Sequence, residues 1–179
     1  MSRLSEAIVE HYSLFSWQSI LNLAKQRQDM NVAEGLHERY TKSKDYAHAL
    51  RKHEIGVAGE YSLCRHLGKP YAAALDRTVP ADVGSIYQVR SVDKHARNVK
   101  TGARRGLQAL RINPADDPVQ VYVLAVVDFE LKNVELKGWC YGLEGKDRRW
   151  WRTDCGSAAY LTPENHLRGM ASLPTEVQA

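Results

Sequence analysis

Long hydrophobic runs are missing from this chain. No stretch approaches the ~18–20 consecutive apolar residues of a membrane-spanning helix, so no membrane partner is expected. Cysteine is scarce. Cys64, Cys140 and Cys155 are odd in number and share no metal-type spacing. That excludes a disulfide framework and a structural zinc site, and it predicts reduced thiols inside a cell. The seven histidines show no metal-type spacing either. Gly-rich phosphate loops and nucleophile elbows are absent, which removes P-loop NTPases and the common serine hydrolases. No repeat or low-complexity tract occurs. The opening MSRLSEAIVEHYSLF lacks the basic-then-apolar order of a secretory signal, which predicts a cytoplasmic protein, in the host cytoplasm if phage-encoded.

What is present is a globular composition. Apolar residues make up 44% and charged residues 26%, too much of the first for a disordered chain. With 179 residues the chain can bury most of its apolar surface without a staple. Lys and Arg number 25 against 21 Asp and Glu, a net charge of +4 that permits a nucleic-acid partner without requiring one.

Residues 5–28 have broadly helical spacing, and a polar stretch from Gln26 to His53 reads as further, loosely packed helix. The character shifts near residue 50, which predicts an N-terminal helical extension over 1–50 and a second domain over 51–179. His53–Leu67 is helical in spacing and Gly68 stops it. Strands are expected at 71–75, 86–92, 107–112, 119–127, 132–141 and 158–162, with the apolar run Val119–Val127 central. NPADDP, over 113–118, is turn chemistry, so Asp116 and Asp117 are expected to be turn residues rather than ligands. A short helix is expected over 144–151. The predicted class is α/β (α+β), one mixed central sheet flanked by helices.

Three features could carry chemistry. On the 53–67 helix, Val57, Glu60, Cys64 and Leu67 share one face, so Glu60 is a carboxylate on an apolar stripe. It either snorkels to water or is aimed at a cation. On the strand after Ile86, alternation puts Gln88, Arg90 and Val92 on one face and Tyr87, Val89 and Ser91 on the other. Asp82 lies six residues before Gln88, ahead of Gly84, where a bend could bring it beside the strand. The third feature is the basic run Arg90, Lys94, Arg97, Lys100, Arg104 and Arg105, opposed only by Asp93. Directly after a polar strand face, it suits a phosphate-bearing ligand. Trp139 is expected in the core, whereas Trp150 and Trp151, beside Arg148, Arg149 and Arg152, could stack on bases.

Glu60, then Pro80-Ala81-Asp82, then Gln88-Val89-Arg90 resembles the pattern of the PD-(D/E)XK, restriction-endonuclease-like nucleases. The phrases GVAGEYSLCRHLGKP, ADVGSIYQVRS, YVLAVV, LKGWCYGLEGK and AYLTPENHLRGM resemble its small phage-type members over roughly residues 53–173. The resemblance implies a metal-dependent DNA endonuclease of phage or bacterial DNA metabolism. Glu60, Asp82, Gln88 and Arg90 would be the catalytic set. Glu60, Asp82, Gln88 and the Val89 carbonyl would hold Mg²⁺, or Mn²⁺ in its place. Lys94, Arg97, Lys100, Arg104 and Arg105 would track DNA, and a homodimer is an open option. Two positions depart from the pattern. Gln88 replaces an acid and brings no charge to a cation. Arg90 replaces Lys and stays protonated, so it cannot act as a base, though it could stabilise phosphate charge. The departures leave a second option: a catalytically weak or inactive nuclease-fold module that binds DNA or a protein assembly. An RNA-cleaving toxin would share the same residues but has no feature of its own here.

Overall fold

The computed structural model describes residues 7–34, 46–71, 86–95, 108–154 and 157–174. Their order is β1 (Ile8–His11), α1 (Leu14–Ala33), α2 (Tyr46–His66), β2 (Tyr87–Asp93), β3 (Ala109–Ile112), β4 (Val121–Asp128), β5 (Asn133–Tyr141), α3 (Gly142–Gly145), β6 (Trp151–Arg152) and β7 (Ala159–Pro163). Single 3-10 turns lie at Arg148–Trp150, Glu164–His166 and Met170–Ser172. None of the described helices is long and apolar enough to cross a membrane.

The class is mixed α+β, but the strands form two sheets rather than the single one expected. One has the order β1-β5-β4-β2 and the other β3-β7-β6. Strand periodicity tells which residues share a face, not which distant strand will be the partner. β3 pairs antiparallel with β7, so that Ile112 faces Tyr160 across nearly fifty residues of chain.

β4 is central, as its apolar run predicts, between antiparallel β5 and parallel β2. Both of its faces are covered. Val121, Val123, Ala125 and Val127 meet Trp17, Ile20 and Ala24 of α1 and Val57, Ala58 and Leu63 of α2 in one core. Tyr122, Leu124 and Val126 meet Leu110 and Ile112 of β3 in a second core. The result is helices, main sheet and small sheet in three layers. A bulge opposite Leu124 and Ala125 is accommodated at Gly138, whose φ of +154° suits glycine. A Cβ there would run into the Arg168 carbonyl, which bridges back to Trp139.

The N-terminal region, expected to be a helical extension, is built into the body of the protein. Residues 8–11 are a strand paired with β5, not part of a helix. β-branched Ile8 and Val9 suit the open edge of that sheet. Ser13 then starts α1, its Oγ accepting from Ser16 N at 3.2 Å. Tyr12 links the segment to α2 by a 2.7 Å hydrogen bond with Ser62, and burial pushes its phenol up to about 12. The strand expected over 71–75 lies outside the described residues except for Tyr71, which is irregular. Of the expected 144–151 helix, only α3 and the turn at Arg148–Trp150 form, split by Asp147, which caps the turn.

Trp139 is in the core, 2% exposed, with Nε1 donating to the Gly169 carbonyl at 3.2 Å. Cys64 and Cys140 are free and buried, and burial raises their thiols to about 11 and about 12. They pack as small apolar groups and are poor nucleophiles.

Gly59 of α2 packs closely on Ser91 of β2. A methyl group at Gly59 would collide with Ser91 Oγ and lie 3.1 Å from Ala125 Cβ. Ser91 Oγ is itself buried without a hydrogen-bond partner among the described residues. Gly59→Ala should therefore cost about 1–3 kcal/mol by overpacking. Ser91→Ala should be neutral or stabilise by about 1 kcal/mol, since it removes an unpaired buried hydroxyl. Combined, the two changes should cost less than their sum. Urea denaturation of the four proteins measures this coupling, and strict additivity would show that the contact does not set the helix–sheet distance.

Candidate functional site

Glu60 sits on α2 beside buried Gly59, and its carboxylate is half-buried. Arg27 of α1 reaches it: Nη1 donates to Glu60 Oε2 at 2.9 Å, and the two side chains are only 16% and 22% exposed. Tyr71 completes the cluster. Its hydroxyl donates to the same Oε2 at 2.9 Å and accepts from Arg27 Nη2 at 2.9 Å. Burial first, and the Glu60 charge second, push the Tyr71 phenol far up, so it remains a donor at any ordinary pH. Glu60 is therefore held inside the protein rather than snorkelling to water. A guanidinium already neutralises it.

Strand β2 alternates as the sequence predicts. The register with β4 sets Val89 beside Val123 and Ser91 beside Ala125, on the helix side. Asp93 is on that side too, held by Arg51 of α2 at 3.0 Å. Gln88, Arg90 and Val92 lie beside Tyr122, Leu124 and Val126, on the side of the small sheet. Arg90 lies over the Tyr122 ring at 5.5 Å, and its Nη2 donates to Asp116 Oδ2 at 2.8 Å. Its Nε is buried without a partner among the described residues.

The side chains of Glu60 and Gln88 are thus on opposite faces of the main sheet. Glu60 and the Val89 side chain are on the helix side, whereas Gln88 and Arg90 point the other way. The cause is the period of two along β2. Once Gly59 seats Ser91 against α2, Arg90 and Gln88 must face away. Asp82 lies outside the described residues. Among the described residues, no three His, Cys, Asp or Glu side chains group around a point where a metal could sit. Among the described residues, Glu60 and Gln88 are not brought together around one point.

Lys94, the first of the expected DNA contacts, is instead tied to the protein. Its Nζ donates to Asp128 Oδ2 at 2.8 Å and lies 4.0 Å from Glu135. Arg97, Lys100, Arg104 and Arg105 lie outside the described residues. Asp116 and Asp117 act in the turn as expected: Asp116 Oδ2 accepts from Asn113 N at 2.8 Å and Asp117 Oδ1 from Val119 N at 2.9 Å. Asp116 has the further role of holding Arg90.

Sequence reasoning missed Arg27 and Tyr71. A signal for Arg27 exists. It follows Trp17, Ile20 and Ala24 at helical spacing, so a cation rides the rim of the buried stripe of α1 just as Glu60 rides that of α2. Opposite charges on the apolar stripes of two helices are a reason to expect those stripes to meet. Tyr71, after a Pro in an irregular segment, carries no such signal.

No family model matches this chain, and neither a curated protein nor a solved structure does.

Two outcomes follow from these ion pairs. Arg27→Met alone strands the Glu60 charge and should cost about 2–3 kcal/mol, since the pair is mostly but not wholly buried. Arg27→Met with Glu60→Leu should recover most of that loss. A double-mutant cycle by urea denaturation tests this, and a coupling near zero would mean that the two charges do not depend on each other. The second outcome concerns acid. Asp128 is 3% exposed, and burial pushes its carboxyl up. The Lys94 ammonium and the N–H groups of Leu131 and Glu130 outweigh this and hold it below the ordinary value. A lowered native value means stability that is present above the ordinary carboxyl pKa and lost as pH falls through the native one. Asp128→Asn should therefore destabilise near neutral pH and flatten the acid limb of the stability profile. Unfolding midpoints from about pH 6 to pH 3 measure it, and an unchanged slope would deny Asp128 that role.

Proposed function

We propose that this chain is a DNA-binding module of nuclease-like fold, which grips the phosphate backbone and does not hydrolyse it at Glu60, Gln88 and Arg90. The observation that carries this reading is the division of those residues between the two faces of the main sheet, with Glu60 committed to Arg27 and Arg90 to Asp116. Hydrolysis of a phosphodiester by a hard cation needs anionic oxygens converging on one point. Binding needs only cations spread along a surface. The net charge of +4 and the cations Arg97, Lys100, Arg104 and Arg105 of the basic run would supply these, and the resemblance to a nuclease family supplies the partner class.

The competing reading is the metal-dependent endonuclease, with Glu60 and Asp82 as its carboxylates. One contact favours it. Gly59, the residue before Glu60, packs closely on Ser91 of β2, the strand that carries Gln88 and Arg90.

Incubating the protein with supercoiled, linear and single-stranded DNA in Mg²⁺, Mn²⁺ or EDTA separates the two. The expected result is metal-independent retention of DNA with no new ends. Neutralising Arg97, Lys100, Arg104 and Arg105 together, and leaving Lys94 to hold Asp128, should weaken binding without sequence preference. The log–log salt slope on duplex should flatten by about 0.9 for each phosphate that the variant no longer neutralises. Metal-dependent cleavage that disappears in Glu60→Ala and Asp82→Ala would overturn the binding module in favour of the endonuclease.

A further inference from the structure

Two of the four tryptophans belong to the protein's interior: Trp17 and Trp139 are 4% and 2% exposed. Trp150 and Trp151 are different. They are half-buried, they are consecutive, and neither joins either hydrophobic core. Each is steadied by one ring. Trp150 lies 4.8 Å from His166 at an interplanar angle of 52°, and Trp151 lies 4.8 Å from Tyr160 at 59°. The tilt means that neither indole is sandwiched by its neighbour. Trp151 opens β6, the outer strand of the small sheet, and pairs with Tyr160 of β7.

Cations flank this aromatic pair. Arg148, Arg149 and Arg152 lie on either side of it, at the surface. Arg149 lies over the Trp150 ring at 5.2 Å and is held there by Asp147, at 2.7 Å through Nε. Asp154 is the other acid in the segment, so three guanidiniums face two carboxylates, one of which already serves Arg149. Arg111 of β3 adds a fourth cation to the small sheet.

We propose that Trp150 and Trp151, with Arg148, Arg149 and Arg152, form a platform for unpaired bases of single-stranded DNA. The inference rests on the DNA-binding reading above and adds the strand state to it. The chemistry is specific to single strands. Indole faces take up the π-faces of bases, which a duplex keeps stacked inside, while guanidiniums meet the phosphates that every strand carries. Each indole packs against one ring and stays outside both cores, which leaves part of its surface for a stacking partner.

Because Trp17 and Trp139 are buried, fluorescence changes on binding report on Trp150 and Trp151. Titrating the whole chain with oligothymidylate of about 16 nucleotides should quench this fluorescence, and a duplex of equal length should quench it far less. Trp150→Ala should weaken oligothymidylate binding about tenfold and leave duplex binding within about twofold. Arg148→Ala with Arg152→Ala, at surface positions that leave the fold intact, should weaken both forms and flatten the salt dependence. If the wild-type chain binds oligothymidylate without quenching, or if both variants bind it normally, the platform is overturned while the DNA-binding reading stands. If it retains neither form of DNA, that reading falls and takes the platform with it.

Discussion

Every residue of β4 from Val121 to Asp128 is buried, so each face of the main sheet needs its own cover. Helices α1 and α2 supply one, and the small sheet β3-β7-β6 supplies the other. From this double demand the rest of the structure follows. The N-terminal residues are drawn in because α1 is half of the first cover, and β1 then closes the sheet beside β5. After β5 the chain passes to the far side, where the short elements α3, β6 and β7 contribute to the second cover.

Covering both faces also decides what β2 can do. One set of its side chains has to meet α2, and at Gly59 the approach is so close that only a small residue, Ser91, fits beneath. The alternate set, Gln88 and Arg90, is then directed to the second interface, where Asp116 and the Tyr122 ring receive the guanidinium. An arginine at that depth needs such a partner, because an unpaired buried cation is costly. The same requirement recurs at Glu60 with Arg27 and Tyr71, and at Asp128 with Lys94. Charges that look available for ligands in the sequence are, in the fold, answers to one another's burial.

This pairing separates two kinds of charged residue. Those between layers are committed and hold helix to helix or strand to turn. Those on the outer strand of the small sheet and the turn before it, Arg148, Arg149 and Arg152, remain at the surface beside aromatic rings. Under the proposed DNA-binding reading, that rim is where a polyanion would be met.

The sequence by itself determined the elements that obey one strong period. β4 is a continuous apolar run, β2 alternates and Asn113–Pro118 is a turn, each where its pattern puts it, while α2 carries the expected apolar stripe but begins at Tyr46 rather than His53. It also determined that Glu60 would be a carboxylate on an apolar face and that Gln88 and Arg90 would share a direction. Only the tertiary structure decided what those directions meet. A period of two says that Gln88 and Arg90 face together; it does not say whether they face α2. Helical spacing says that Glu60 looks inward; it does not say that Arg27, thirty-three residues earlier, waits there. Sheet membership was hidden for the same reason, since β3 finds β7 through pairing that no local pattern encodes. Local periodicity fixes orientation about an element's own axis. Which element lies opposite is set by the competition to bury all apolar faces at once, and that is a property of the whole chain.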